Sequence, residues 1–241
     1  MYQSSFPWRD AAERRPPPHT EKELLTRAAA LTGRCIGELA AALRVPLPRE
    51  PKRAKGFVGQ LVELALGADP RAGEQPDFPS LGVELKTIPC ALDGTPVEST
   101  FCCAISMRQL DRERWESSRL RHKLQRVLWV PVQAATVRDL PARRFGRPRL
   151  WVPTDAEQAR LQADWEDLMG AIGTSGLDGI SGRDGQVLQV RPKAARSDVR
   201  TASALADGVE LALPVAFYLR AGFTAQILSH HGPIFPTTAP P

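Results

Sequence analysis

The chain has 241 residues, of which 42% are hydrophobic and 24% charged, and its formal net charge is +5. That length allows a substantial core, in one large domain or in two closely packed lobes. No stretch approaches the roughly 18 apolar residues of a membrane helix, and the polar N-terminal segment lacks a secretory h-region. The four cysteines lack the spacing of metal ligands or of a disulfide framework. We therefore expect a cytoplasmic protein without a membrane association.

The positive charge is concentrated in one section of the chain. Between Ile105 and Leu150 twelve Lys and Arg stand against four Asp and Glu, a local balance of +8, so the remainder sums to −3. A mildly acidic protein with one basic section suggests a surface for a polyanion, most often nucleic acid. A solvated basic face or a docking patch for another protein would give the same pattern.

The N-terminal third reads as helical after a polar segment. Residues 1–19 end in three prolines and predict a flexible tail. Thr20, with Glu23 three positions later, is typical of a capping box, so a helix is expected across EKELLTRAAALTG. A second short helix is expected across IGELAAAL. The segment FVGQLVELALG is apolar on nearly all sides and predicts a buried helix that ends at Gly67, with Glu63 as its one charged residue.

The rest of the chain mixes strands and helices. The runs VELKTI, STFCCAIS and RVLWVPV are short and rich in β-branched or aromatic residues, as is typical of strands. The polar segment before the third run is expected to be partly helical. Thr154 and Glu157 form a second capping box, which predicts a helix to about Ile172. Strands are expected at QVLQV, VELALP and FYLR, followed by a last helix near FTAQILSHH. The sequence thus predicts a mixed α/β fold.

Three charged residues lie in and beside the first predicted strand, in the sequence DFPSLGVELK. Because side chains alternate along a strand, Glu84 and Lys86 project from the same face. A bend between Pro79 and Gly82 would bring Asp77 beside Glu84. Two convergent carboxylates suit Mg²⁺, and a lysine beside them can orient a metal-bound water or balance charge on a phosphate. Such an arrangement would hydrolyse a phosphodiester.

A structural role also explains the same residues, because a match this short occurs often by chance. Glu84 and Lys86 could lie on the solvated face of an edge strand, with Asp77 as an ordinary loop acid. Glu63 is costly in an apolar helix unless it is paired or binds a metal. It either points toward the acid cluster or forms a salt bridge with Lys55 or Arg53.

Several sequence blocks together resemble the MutH family, the strand-nicking endonucleases of methyl-directed mismatch repair, within the wider type II restriction-endonuclease superfamily. The resemblance covers roughly residues 20 to 230. Its blocks, in order, are KGFVGQLVELALGA, DFPSLGVELKTIP, ESTF, RHKLQRVLWVPV, QVRPKAA and FYL.

The resemblance implies roles for individual residues. Asp77, Glu84 and Lys86 match the family's catalytic acid–acid–lysine set, and Glu63 matches an additional carboxylate near the metal. The first two acids and Glu63 would bind one or two Mg²⁺ ions. The remaining implied site residues are basic or contact DNA: Lys55 and Lys123 at the active site, Arg191, Pro192 and Lys193 in the loop that reads bases, Tyr218 as the sensor of adenine methylation, and Arg121 and Arg126 at the DNA backbone.

The resemblance also implies an activity, partners and a domain organisation. The substrate would be double-stranded DNA with GATC sites, nicked 5′ to the G on the unmethylated strand. MutL would activate the nuclease after MutS finds a mismatch. The implied protein is a bacterial, cytoplasmic monomer with a central mixed sheet flanked by helices. Its endonuclease domain, residues 20–231, would form two lobes around a DNA cleft, between flexible segments at 1–19 and 232–241.

Two alternatives stay open at this point. The chain could be a restriction enzyme of the same fold that cuts both strands without repair partners. It could also be a DNA-binding protein with a relic site, which would bind DNA in EDTA and never nick it. Other enzyme classes are disfavoured, because the chain contains no G-x-x-x-x-G-K-[ST], G-x-S-x-G or H-E-x-x-H motif.

Overall fold

The computed structural model describes residues 15–48, 56–107, 110–134, 140–192, 201–205, 208–212, 215–229 and 232–236. Within these ranges the chain forms six α-helices and eight β-strands. They belong to two compact units. Unit 1 comprises Met1–Val97, Val127–Trp151 and Leu228–Pro241, and unit 2 comprises Glu98–Arg126 and Val152–Ile227. Among the described residues, no helix is both long enough and apolar enough to span a membrane.

Three helices of unit 1 follow the sequence pattern closely. Helix α1 spans Glu21–Ala29, α2 spans Ile36–Ala42 and α3 spans Phe57–Leu66. The Thr20 hydroxyl caps α1 by accepting the Glu23 N–H at 3.1 Å, while the Glu23 carboxylate accepts the N–H of His19 instead of closing the predicted box. Gly67 ends α3 in the left-handed region, as predicted, with φ of +83°.

The sheet of unit 1 is mixed. Strand β1 (Glu84–Cys90) pairs in parallel with β3 (Val127–Gln133), with Glu84 opposite Val127. Strand β4 (Arg149–Trp151), which the sequence did not predict, pairs antiparallel to β3, so β1 lies at a sheet edge. Buried apolar side chains of the helices and the sheet form one core. Its members include Leu24, Ala28, Ile36, Leu39, Phe57, Leu61, Leu66, Phe78, Val83, Leu128, Val130 and Phe145.

The segments at both ends of unit 1 are packed where they are described. The buried Arg27 guanidinium donates to the carbonyls of Pro16 at 2.7 Å and of Leu66 at 2.8 Å. At the other end Ile234 is buried, and its carbonyl accepts the Arg147 N–H at 2.7 Å. The chain is therefore anchored at Pro16 and Ile234, and the flexible segments predicted over 1–19 and 232–241 stay a prediction.

Unit 2 is built on an antiparallel sheet with one long helix. Strand β8 (Val215–Leu219) lies between β2 (Thr100–Ala104) and β5 (Leu188–Pro192). Strands β6 (Thr201–Leu205) and β7 (Gly208–Ala212) form a separate antiparallel pair. The described strands thus fall in three sheets, and the mixed sheet of unit 1 with its helices agrees with the mixed α/β fold that the resemblance implied.

The helices of unit 2 lie where the sequence placed them. Helix α4 spans Arg119–Leu124, α5 spans Asp155–Ser175 and α6, which begins in unit 2, spans Ala221–Ser229. The predicted capping box of α5 is confirmed: Thr154 Oγ1 accepts the Glu157 N–H at 3.2 Å, and the Glu157 carboxylate accepts the Thr154 N–H at 2.8 Å. Along α5, Trp165 packs on Trp115 with ring centroids 5.9 Å apart.

Candidate active site

The turn before β1 determines where the Asp77 side chain lies. Residues 79–81 form a single 3₁₀ turn, and Gly82 has φ of +63°. Phe78 and Val83 exchange backbone hydrogen bonds of 2.9 and 3.3 Å on the two sides of this bend. The bend turns the Asp77 carboxylate toward the start of β1, where its Oδ2 accepts the Leu85 N–H at 2.8 Å.

Glu84 and Lys86 are in contact on the same face of β1. Lys86 Nζ lies 2.5 Å from Glu84 Oε1. Glu84 is only 2% exposed and the Lys86 side chain 14% exposed, although β1 is an edge strand. The interpretation of this pair as a solvated edge-strand face is therefore wrong, because a buried ion pair loses most of its hydration.

The carboxylates of this region interact electrostatically. The pKa of Asp77 is raised to about 6, first by burial and then by the negative charge of Glu84. The Lys86 ammonium and the hydrogen bond from Leu85 oppose the rise, and Glu63 adds a smaller rise of its own. Glu84, Glu63 and Lys86, which the sequence grouped with Asp77, therefore all influence its pKa.

Helix α3 brings Glu63 into this group. The helix packs against β1, since a Cβ atom added at Gly59 would lie 3.4 Å from Thr87 Oγ1. Glu63 is half-buried on α3 and has an interaction partner of its own. Both of the basic residues suggested as its salt-bridge partners, Lys55 and Arg53, lie outside the described residues. The predicted active-site role of Lys55 therefore stays a prediction.

The chemistry of the site fits a hard divalent cation held mainly by two carboxylates. Over the described ranges, no three His, Cys, Asp or Glu side chains converge closely enough to hold a metal by themselves. Mg²⁺ is usually bound by one or two carboxylates and completes its shell with water and phosphate oxygens. Burial and the Glu84 charge raise the pKa of Asp77, and a cation bound beside it would favour the ionised carboxylate.

The predicted basic residues of unit 2 lie in and after helix α4. Lys123 is only 7% exposed, while Arg121 and Arg126 are half-buried. The Arg121 guanidinium donates to the carbonyl of Glu116 at 2.9 Å, and Lys123 and Arg126 each have a partner. The structure thus places the three side chains in a single short stretch of unit 2.

The predicted base-reading residues lie on the antiparallel sheet of unit 2. Arg191 is exposed near the end of β5, and Pro192 is the last residue of that strand. Tyr218 on β8 is half-buried. Burial raises the pKa of its hydroxyl, and the neighbouring Arg191 charge opposes part of that rise. Lys193 lies outside the described residues.

Two residues beside this group were not singled out from the sequence. Phe101 packs edge-on against Tyr218, with ring centroids 5.6 Å apart, and Ser99 accepts a hydrogen bond from Arg191 at 2.9 Å. Both belong to the block ESTF, in which Phe101 lies on β2 and Ser99 directly precedes that strand. Their place in that block was the signal that the sequence offered.

A mixed α/β fold that presents two carboxylates and a lysine at the start of an edge strand is typical of DNA-cleaving nucleases. The family model described as "DNA mismatch repair enzyme MutH" matches residues 66–164, which include Asp77, Glu84 and Lys86. The chain is also similar to whole proteins named "DNA mismatch repair protein MutH". Identity is 47% to that of Klebsiella pneumoniae (strain 342) over 216 residues, 89% of this chain and 94% of the relative.

Two further relatives carry the same name. Identity is 45% to the protein of Serratia proteamaculans (strain 568), over 90% of this chain and 95% of the relative. It is 44% to that of Escherichia coli (strain K12 / DH10B), over 89% and 94%. The chain belongs to the MutH family of DNA mismatch repair enzymes. It is therefore a DNA endonuclease of mismatch repair.

Proposed function

We propose that this chain is a Mg²⁺-dependent endonuclease that nicks the unmethylated strand of hemimethylated GATC sites, 5′ to the G. The observation that carries the proposal is the contact between Lys86 and Glu84 beside the Asp77 carboxylate. The partners would be double-stranded DNA and MutL as activator, with MutS acting indirectly. The enzyme would work as a monomer in the bacterial cytoplasm.

Each residue of the cluster has a distinct task in this proposal. Asp77 and Glu84 would hold one or two Mg²⁺ ions, with Glu63 assisting from helix α3. The cation, when bound, supplies Lewis-acid activation of water and neutralises charge on the phosphate. Lys86, a compact point charge, would orient the attacking water and stabilise the negative charge that develops on phosphorus-bound oxygens. Lys55 and Lys123 would add positive charge close to the scissile phosphate.

The residues proposed to recognise the DNA sequence belong to unit 2. An Arg presented near a strand end can donate to both O6 and N7 of guanine, the commonest base contact in the major groove, which suits Arg191 and its neighbour Lys193. Pro192 and Tyr218 would also contact the DNA recognition site, and Tyr218 would sense adenine methylation. Arg121 and Arg126 would bind phosphates, which position the protein without reading sequence.

The proposal is tested by nicking of a supercoiled plasmid that carries GATC sites. Lys86→Met should lower the Mg²⁺-dependent nicking rate at least about a hundredfold, because an electrostatic contact to the transition state is lost. DNA binding should persist. Lys22→Met, at an exposed position of α1 in the same unit, is the matched control and should nick like the wild type. Undiminished nicking by Lys86→Met or by Asp77→Asn would refute the assignment.

The substrate and partner components are tested separately. Unmethylated and hemimethylated duplexes should be nicked on an unmethylated strand, and a fully methylated duplex should resist. MutL should raise the rate. Double-strand cleavage without stimulation by MutL would instead indicate a restriction enzyme of the same fold.

A further inference from the structure

One face of the antiparallel sheet in unit 2 brings together side chains from all three strands around Tyr218. On β8, Tyr218 lies opposite Phe101 of β2 and Gln189 of β5. Because side chains alternate along a strand, Arg191 shares the face of Gln189, and Ser99, which directly precedes β2, accepts a hydrogen bond from Arg191. Tyr218 on the central strand β8 thus lies between Phe101 and Gln189, and Arg191 and Ser99 meet beside it.

The Arg191 side chain crosses this surface. In the register of the sheet Arg191 lies opposite Ala216, near one end of β8, whereas Ser99 directly precedes Thr100, which lies opposite Leu219 at the other end. Even so, the Arg191 Nη1 donates to Ser99 Oγ at 2.9 Å. The Arg191 side chain must therefore extend diagonally across β8. Its positive charge acts to lower the pKa of Tyr218.

This contact fixes a side chain that would otherwise be mobile. Arg191 is exposed, and a free arginine side chain loses conformational freedom when it is ordered. A bidentate contact to a base also needs the guanidinium plane in one orientation. A hydroxyl that holds one end of the guanidinium before DNA arrives reduces the ordering that binding must impose.

We propose that Ser99 is a positioning residue for base recognition: its hydroxyl pre-orients the Arg191 guanidinium. The inference rests on the proposed function, because it takes Arg191 as a reader of the G in the recognition site. Ser99 itself touches neither the base nor the reacting phosphate in this assignment. Its effect is on discrimination between sites.

The experiment compares Ser99→Thr with Ser99→Val, which have the same shape and differ only in the hydroxyl. The measurement is the ratio of kcat/KM at GATC to that at a site with the G replaced. Ser99→Val should lower this ratio about fivefold to tenfold, whereas Ser99→Thr should stay within about twofold of the wild type. Thermal unfolding of the two variants controls for folding, since Ser99 is only half-buried.

A double-mutant comparison separates this inference from the proposed function. In an Arg191→Ala background, Ser99→Val should have no further effect, because the group it orients is gone. If Arg191→Ala lowers discrimination and Ser99→Val does not, the role of Ser99 is refuted and the proposed function stands. If the wild type fails to nick GATC, or Arg191→Ala leaves discrimination unchanged, the role of Ser99 falls together with base reading by Arg191.

Discussion

Asp77 shows how strongly a single side chain of the candidate site depends on its surroundings. A loop aspartate normally ionises near pH 4. Here burial and the Glu84 carboxylate raise the pKa of Asp77 to about 6, despite the Lys86 ammonium nearby. The folded protein therefore binds a proton at Asp77 in a pH range where the unfolded chain does not.

This difference predicts that the free energy of unfolding of the metal-free protein depends on pH through Asp77. A group whose pKa is raised by folding stabilises the folded state at low pH, and that contribution is lost as the pH rises through about 6. Asp77→Asn keeps an acceptor for the Leu85 N–H but carries no charge. In EDTA, its stability relative to the wild type should be greatest near pH 7.5 and should shrink by about 1 kcal/mol toward pH 5.

Urea unfolding of both proteins at the two pH values measures this effect. Saturating Mg²⁺ near pH 7.5 is the control: it should stabilise the wild type more than Asp77→Asn, because a ligand of the folded state stabilises it by mass action. An advantage of Asp77→Asn that grows as the pH falls would contradict the assigned direction of the pKa shift.

At the scale of elements, the junction between α5 and β5 depends on one buried carboxylate. Asp164 is 6% exposed and accepts the backbone N–H groups of Gln186, Val187 and Leu188 at 2.6 to 2.9 Å. Arg220 completes the junction by donating to the carbonyls of Gly182, Asp184 and Gly185. These bonds set the register at which β5, and hence Arg191, enters the sheet.

Removing the Asp164 carboxylate should therefore be costly. Asp164→Ala leaves three backbone donors without their acceptor, and we expect a loss of about 3 kcal/mol or more in the free energy of unfolding. Asp167→Ala, an exposed aspartate one turn along the same helix, is the matched control and should change stability by less than about 0.5 kcal/mol. Denaturant unfolding measures both. Equal effects of the two substitutions would show that the junction does not depend on Asp164.

Two helix glycines should respond in opposite ways to alanine. At Gly67, which ends α3 with φ of +83°, an added Cβ would lie 2.5 Å from the Pro16 carbonyl oxygen, so Gly67→Ala should destabilise by more than about 1 kcal/mol. Gly170 lies inside α5 with nothing within 4 Å of an added Cβ. Gly170→Ala should therefore stabilise by about 0.5 to 1 kcal/mol. The unfolding midpoints of the two variants should move in opposite directions, and a shared direction would contradict this reasoning.

At the scale of the whole molecule, the basic section of the sequence is shared between the two units. Of its twelve Lys and Arg, seven precede Val127 and belong to unit 2, and five follow and belong to unit 1. The section is continuous in the chain but is not confined to one compact unit. Each unit thus has basic residues of its own for a polyanion such as DNA.

DNA binding should accordingly depend steeply on salt. The logarithm of the binding constant should fall linearly with the logarithm of salt concentration, because neutralised phosphates release counterions. Arg121→Ala should reduce that slope by about one at every DNA sequence tested. Lys22→Ala, which removes an exposed charge outside the basic section, should leave the slope unchanged. A salt-independent affinity would argue against phosphate contacts as its main source.

The sequence by itself determined the local elements and the chemistry available to them. Its capping residues, apolar periodicity and glycine stops placed α1, α3 and α5, and the β-rich runs placed β1, β2 and β3. The alternation of side chains in β1 also predicted that Glu84 and Lys86 share a face. These features depend on neighbours within a few residues, which is why they can be read from the sequence.

Only the tertiary structure decided which distant groups meet. The approach of Glu63 to Asp77 depends on how α3 packs on β1, and the bond from Arg191 to Ser99 joins residues 92 positions apart. The short strand β4 exists because β3 offers it an edge. Burial, electrostatic coupling and strand pairing are properties of the packed chain, so local sequence could name the residues of the site without fixing their contacts.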